Sequence, residues 1–374
     1  MTPDADPSPR ASIEVEQFTD PFSPWCWAAQ PTLRRLRYEF RADGLTWTPR
    51  MTVLLPGSAS GGAVASAAPL GDGEDLDGLR ARWAEVAATS GMPVADDLWA
   101  ERVPTSRPAC EAIAFVRETV PAAVLAVLRQ LREAAFSAGR AIDGPAEVAA
   151  VAGGVEAVEA TAVERGLLDG RAAAALAADL ERAVAVADEV RSGAIETRGD
   201  VTMLPAAGRL PAGSGEQPGR TAVSAPRTDP VEDPVVAPED RSADRQLVAP
   251  PALRVTRAAG PAVLVDARLS YRRLASAFGR SVPDTGIEIG DKFATSRMAM
   301  HVPREVAESL SGQDFAGEVR PYLARFGRAY LPEIVDGTGL SPATCRETLD
   351  GLVARGEVER VGAREWRIID EGRD

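Results

Sequence analysis

The sequence predicts an α/β fold with an inserted all-helical domain and a small C-terminal unit of helices and a hairpin. Three observations carry that prediction. Ile13, Val15 and Phe18 alternate with polar residues as a buried strand does, and a proline-rich turn and a helix follow at once. Residues 109 to about 192 form a block rich in Ala, Leu and Val, with apolar residues three and four apart. Strand-like runs then resume, at 251–256 and 262–266, before further helical segments and two short strands end the sequence.

The composition bounds what such a chain can be. At 374 residues and 45% hydrophobic it can bury the cores of two or three domains. Lys+Arg 42 against Asp+Glu 55 gives a net charge of -13, and Lys292 is the single lysine. An acidic, arginine-dominated surface repels nucleic-acid phosphates. Met1 to Arg10 are polar and read as a disordered tail without the apolar core of a signal peptide, and no apolar run reaches the length of a membrane span. The expectation is a cytoplasmic protein with no membrane partner. Cys26, Cys110 and Cys345 form no Cys-x-x-Cys pair, which argues against a disulfide framework and a structural zinc site, so no metal is expected. His301 is the single histidine, precedes a helix start and has no catalytic serine or cysteine motif around it, which disfavours histidine catalysis.

The first element ends in Phe18-Thr19-Asp20-Pro21-Phe22-Ser23-Pro24-Trp25-Cys26-Trp27. Pro21 and Pro24 force a turn. From Trp25, the residues Ala28, Ala29, Leu33, Leu36 and Phe40 recur at helical spacing, with Arg34, Arg35 and Arg37 on the other face, where they keep the surface solvated. Ser23 and Cys26 thus sit where a strand meets a helix N-terminus, a place that favours an anion such as a thiolate.

This segment resembles the redox motif of the thioredoxin superfamily, and the run Asp-Pro-x-x-Pro-Trp-x-Trp-Ala resembles its DsbA-type branch. Pro31 lies five residues after Cys26, where family members often place a helix-kinking proline. In that register Ser23 takes the place of the nucleophilic cysteine and Cys26 that of the resolving thiol, with Pro24 and Trp25 between them. The departure matters, because a hydroxyl cannot exchange a disulfide. Kappa-class glutathione transferases and hydroxychromene-carboxylate isomerases are similar in the same way, with serine in that position.

The remaining elements follow in order. Leu45 to Leu55 reads as a second strand, Gly57 to Gly73 as a small-residue loop, and Asp75 to Thr89 as an amphipathic helix closed by Gly91-Met92-Pro93. Pro121 and Asp143-Gly144-Pro145 mark helix starts within a block of four or five helices. The resemblance implies that this block, 104–192, is inserted into a thioredoxin-like domain whose halves are 11–103 and 193–283. It also implies that Ser106-Arg107-Pro108-Ala109-Cys110 faces the motif, which makes Cys110 a candidate partner thiol for Cys26 or else a buried small hydrophobe. The family's cis-proline is expected at Pro205, after Leu204, with Pro251 as the second candidate. Residues 206–250 contain seven prolines, four glycines and no aromatic residue, the composition of a disordered insertion. Ser270 to Phe278 reads as the closing helix.

The unit at 284–374 contains helices around Phe315–Phe326, Leu331–Val335 and Ser341–Gly356, then strands at Val358–Val361 and Glu365–Ile369. Three helices and a hairpin resemble a winged helix. Residues 311–374 carry 9 Arg against 12 Asp+Glu, a net of -3, which opposes DNA binding and favours a structural or protein-contact role.

Three chemistries follow from the motif. Cys26 acts as a thiol, making the chain a DsbA-like thiol-disulfide oxidoreductase with a degenerate Ser-Pro-Trp-Cys motif that works on protein or small thiols. Alternatively, Ser23 holds a bound thiolate, as in the transferase and isomerase branch. In the third reading the domain is a non-catalytic binding scaffold. No resident cofactor is expected, and the resemblance admits glutathione or another low-molecular-weight thiol as ligand.

Overall fold

The computed structural model of the chain describes residues 12–55, 76–99, 104–206, 245–280, 315–361 and 365–369. The expected tail at 1–10, the loop around Gly57–Gly73, His301 and most of the expected insertion lie outside these residues.

A mixed five-stranded sheet organises the first domain. Strand β1 (Ile13–Thr19) pairs in parallel with β2 (Leu45–Met51) and antiparallel with β6 (Ala252–Arg257). Beyond β6 come β7 (Val263–Asp266), antiparallel to it, and β3 (Glu196–Arg198), parallel to β7. Sequence periodicity gave no sign of β3, since Glu-Thr-Arg has no apolar alternation. It is a three-residue edge, and its charges discourage further pairing.

The helix expected from Trp25 to Phe40 is two helices, α1 (Pro24–Ala28) and α2 (Gln30–Glu39), meeting at Ala29. Pro31 explains the break, because its ring removes an amide donor and clashes with the carbonyl four residues earlier. Leu33 and Leu36 of α2 pack with Val15, Leu253 and Leu274 on one face of the sheet. Helix α3 (Leu76–Ala88) packs on α1.

The other face carries the helical block. Its five helices are α4 (Arg107–Thr119), α5 (Val124–Arg132), α6 (Pro145–Ala152), α7 (Ala160–Leu168) and α8 (Arg171–Arg191). The buried Asp179 of α8 accepts the Met51 amide at 2.9 Å and pairs with Arg50 at 3.2 Å and with Arg117, tying the block to β2.

Strands β4 (Met203–Pro205) and β5 (Gln246–Val248) form a separate two-stranded ladder. The boundary 206–250 of the expected insertion is therefore corrected. Ala206, Leu247 and Val248 are buried in the core, which Gly and Pro counts over the whole stretch obscure.

The C-terminal unit consists of α10 (Ala316–Phe326), β8 (Arg328–Tyr330), α11 (Leu331–Thr338), α12 (Pro342–Ala354), β9 (Val358–Arg360) and β10 (Glu365–Ile368), after α9 (Tyr271–Ala277) of the preceding domain. Its strands form an antiparallel sheet in the order β8-β10-β9. Val319, Leu323, Ile334, Leu349, Leu352 and Trp366 make its own core.

This unit docks on α2, which corrects the reading of the arginine face as solvated surface. Arg34 is buried, donates to Glu333 Oε2 at 2.7 Å and to the Arg328 carbonyl at 2.9 Å, and lies 4.1 Å from the Phe326 ring. Arg35 pairs with Glu39 at 2.6 Å and stacks on Tyr271. Arg129, at the end of α5, reaches the same carboxylate at 2.6 Å. Glu333 thus joins the sheet domain, the helical block and the C-terminal unit at one buried point.

Candidate functional site

The bend after β1 is built by its own polar groups. Asp20 Oδ1 accepts the Phe22 amide at 2.6 Å, and the Ser23 amide reaches the Asp20 carbonyl at 3.3 Å. Ser23 is the N-cap of α1. Its hydroxyl accepts the Cys26 amide at 3.3 Å and its carbonyl accepts the Trp27 amide at 3.1 Å. The Cys26 and Trp27 amides are thereby already satisfied, and α1 is only five residues long.

The bend is also covered. Ser23 is 1% exposed and Cys26 0%, so neither side chain reaches the surface. Helix α3 lies across α1. Trp99 packs between Phe22, at 6.0 Å between ring centroids, and Trp83 of α3, at 5.6 Å. Trp27 donates its indole N–H to the Pro93 carbonyl at 3.0 Å, stacks on Phe136 at 6.0 Å, and meets the edge of Tyr330 from the C-terminal unit at 5.9 Å. Pro24 is buried with the bend, while Trp25 is half-buried with the Arg268 guanidinium 5.6 Å from its ring.

Beneath the bend lies a buried polar cluster centred on Asp20. Its Oδ2 accepts the Leu54 amide at 2.7 Å, the Ser106 hydroxyl at 2.6 Å and the Cys110 thiol at 3.6 Å. Burial raises the Asp20 pKa, and these donors only partly offset that cost. Burial and the neighbouring Asp20 carboxylate push the Cys110 thiol well above its ordinary range. Cys110 therefore faces the motif, but as a protonated donor that is a poor nucleophile. Both Cys26 and Cys110 are free thiols. Cys345 lies in the core of the C-terminal unit.

Arg132 completes the cluster. It donates to Gln30 Oε1 at 2.7 Å and to the Thr19 hydroxyl, and its Nε has no hydrogen-bond partner among the described residues. Burial lowers its pKa, while Cys26, Asp20 and Cys110 lie close enough to oppose that effect. Asp20, Ser106 and Arg132 were absent from the sequence-derived site. Asp20 and Ser106 stand inside the quoted motif segments, so their polarity among prolines was the available signal. Arg132 carried none, being one arginine of an amphipathic helix.

The cis-proline expectation is corrected at Leu204 and Pro205. The cis peptide is Pro250-Pro251, directly before β6, whose Ala252 pairs with Phe18. Pro251 therefore lies beside the end of β1 and the bend. Pro205 pairs with Gln246 in the separate ladder, and Leu204 is buried in the core there. Among the described residues no helix is long and apolar enough to cross a membrane.

Residues 14–187 match the family model of the DSBA-like thioredoxin domain. The ClpXP adapter protein SpxH of Bacillus subtilis (strain 168) is 28% identical over 131 residues, which cover 34% of this chain and 40% of that protein. Among solved structures, a probable DsbA oxidoreductase from Streptomyces coelicolor has a TM-score of 0.40 at 17% identity, covering 72% of this chain and 92% of that one. The cytosolic disulfide reductase DsbM from Pseudomonas aeruginosa with GSH has a TM-score of 0.35 at 18% identity, covering 48% and 81%.

Proposed function

We propose, from the premise that residues 14–187 are a DSBA-like thioredoxin domain, that this chain is a protein-binding member of that family and that its motif has become a structural bend. One observation supports this most: Ser23 occupies the nucleophile position and spends its hydroxyl on the α1 cap, while Cys26 beside it is fully buried. Disulfide exchange needs an accessible thiolate. A covered thiol whose site offers no second accessible sulfur has no route to that chemistry. The similarity to SpxH, an adapter by name, is in keeping with a role in binding.

Glutathione transfer through Ser23 meets the same obstacle, since the hydroxyl faces the Cys26 amide under α3. The C-terminal unit has the three-helix and hairpin order of a winged helix. The exposed residues of α12 and its C-cap include Arg346 and Arg355 alongside Glu347 and Asp350, which supplies no excess of positive charge for DNA. We assign it a structural role, held by its contacts with α2 and α5.

Labelling tests the reading. With iodoacetamide at neutral pH the folded protein should leave Cys26, Cys110 and Cys345 unmodified, and all three should react in denaturant. Ser23→Cys should fold and still fail to reduce insulin. Selective labelling of Cys26 in the folded protein, or insulin reduction by Ser23→Cys, would return the chain to the oxidoreductases. Glutathione at millimolar concentration should leave the melting temperature unchanged.

A further inference from the structure

At the opposite end of β1 from the bend, about 20 Å away along the seven residues of the strand, an open cleft of about 520 Å³ lies between Ile13, Phe40, Asp43, Arg257, Phe278 and Arg280. Its size falls within the range of small-molecule sites. The floor is apolar: Ile13, Phe40 and Phe278 are buried side chains, and the two rings lie 4.8 Å apart.

The two arginines of the cleft differ. Arg280 is neutralised by Glu39 at 2.8 Å and Asp43 at 3.8 Å, and its guanidinium covers the Phe40 ring at 4.1 Å. Arg257 is half-buried, and its side chain has no hydrogen bond or ion pair among the described residues. Nearby Arg254, on the same strand, is paired with Glu189 at 3.2 Å and Glu16 at 3.6 Å. The backbone makes room for the free guanidinium. A Cβ at Gly279, where φ is +87, would stand 2.9 Å from Arg257 Nη1, and one at Gly260, where φ is +106, 3.6 Å from Nη2. Among the described residues, one uncompensated positive charge therefore borders an aromatic floor.

We propose that this cleft binds a small organic monoanion, a carboxylate carried on a flat apolar body, with Arg257 holding the carboxylate and the body packing beside Phe278 and the Arg280 guanidinium that covers Phe40. A planar guanidinium suits a carboxylate because it can donate two parallel N–H groups. Inorganic phosphate matches the site less well. It has no apolar part for the floor, and its second negative charge finds no second free cation among the described lining residues. This inference is independent of the reading of the motif.

Phenylacetate is the probe, titrated into the full chain by calorimetry. A ligand of ten non-hydrogen atoms in an open cleft should bind with a Kd of about 1 mM. Arg257→Gln should weaken binding by about 10- to 100-fold, the loss expected for a charged hydrogen bond, whereas Arg257→Lys, which keeps the charge, should lose less. Phosphate and phenethylamine should show no saturable binding. Unaltered circular dichroism and melting of the Arg257 variants would establish that any loss is local. The proposal is overturned if phenylacetate does not saturate, if it binds Arg257→Gln as well as the natural chain, or if phosphate binds equally.

Discussion

Replacing Glu333 with Gln removes one negative charge from the point where three parts of the chain meet. Glu333 is fully buried; Oε1 accepts Arg129 Nη1 at 2.6 Å, and Oε2 accepts Arg34 Nη1 at 2.7 Å, Arg129 Nη2 at 3.1 Å and the Tyr330 amide at 2.8 Å. Burial by itself would raise this carboxyl, yet the two guanidiniums overcome it and hold the pKa at about 2, down from 4.5. Removing one partner of such a buried ion pair costs about 3 kcal/mol. A glutamine amide would also point N–H groups at a guanidinium. In urea at neutral pH the midpoint should fall by about 1 M for a slope near 3 kcal/mol/M.

The sign with pH follows from the direction of the shift. A carboxyl whose folded pKa is depressed contributes its stability above the unfolded value and loses it as pH falls from about 4.5 towards 2. The stability gap between the natural chain and Glu333→Gln should therefore be largest at neutral pH and close across that window. A gap under about 0.5 kcal/mol at neutral pH would mean that the C-terminal unit does not rest on α2 through this residue. A gap that persists unchanged to pH 2 would assign the loss to shape and not to charge.

Three further outcomes are expected. Ser23→Ala removes the N-cap of α1 and should cost about 1 kcal/mol in urea unfolding, whereas a neutral effect would mean that the hydroxyl does not cap. Because burial raises the Asp20 pKa, its contribution is fully present below its unfolded value and is lost as pH rises through the folded one. The natural chain should therefore lose stability relative to Asp20→Asn as pH climbs from about 4, and a difference growing the other way would contradict the buried cluster. A gel shift with duplex DNA at low salt should show no complex. A salt-sensitive shift would make α12 a recognition helix after all.

Much of the scaffold was legible because hydrophobic period and turn chemistry agreed with it. Ile13-Val15-Phe18 is a strand, Ser341-Pro342 opens a helix with Ser341 as its cap, and the helical block falls within the expected stretch. What escaped had local signals that pointed elsewhere. β3 is polar, and β8, Arg-Ala-Tyr, is a strand only because β10 lies beside it. The arginines of α2 have a solvent-face pattern, and only the remote Glu333 and Phe326 show that the face is covered. At the motif, residue types were readable and accessibility was not. Trp83 and Trp99, which close over the bend, stand about 60 to 75 positions away in the chain, a separation that spacing rules for single helices and strands do not reach.

The ladder of β4 and β5 has a practical corollary. Its strands are antiparallel, and the Ala206 amide donates to the Arg245 carbonyl at 2.8 Å, so the chain leaves and re-enters the domain at adjacent points. The ends of 207–244 are thus already brought together by the hydrogen bonds of the pair, and a two-residue turn such as Asn-Gly could join them. Exchanging that whole stretch for such a turn, or for a foreign cargo whose own termini lie close together, should leave the sheet and the buried Asp20 cluster intact, making this doorway a natural port for engineering.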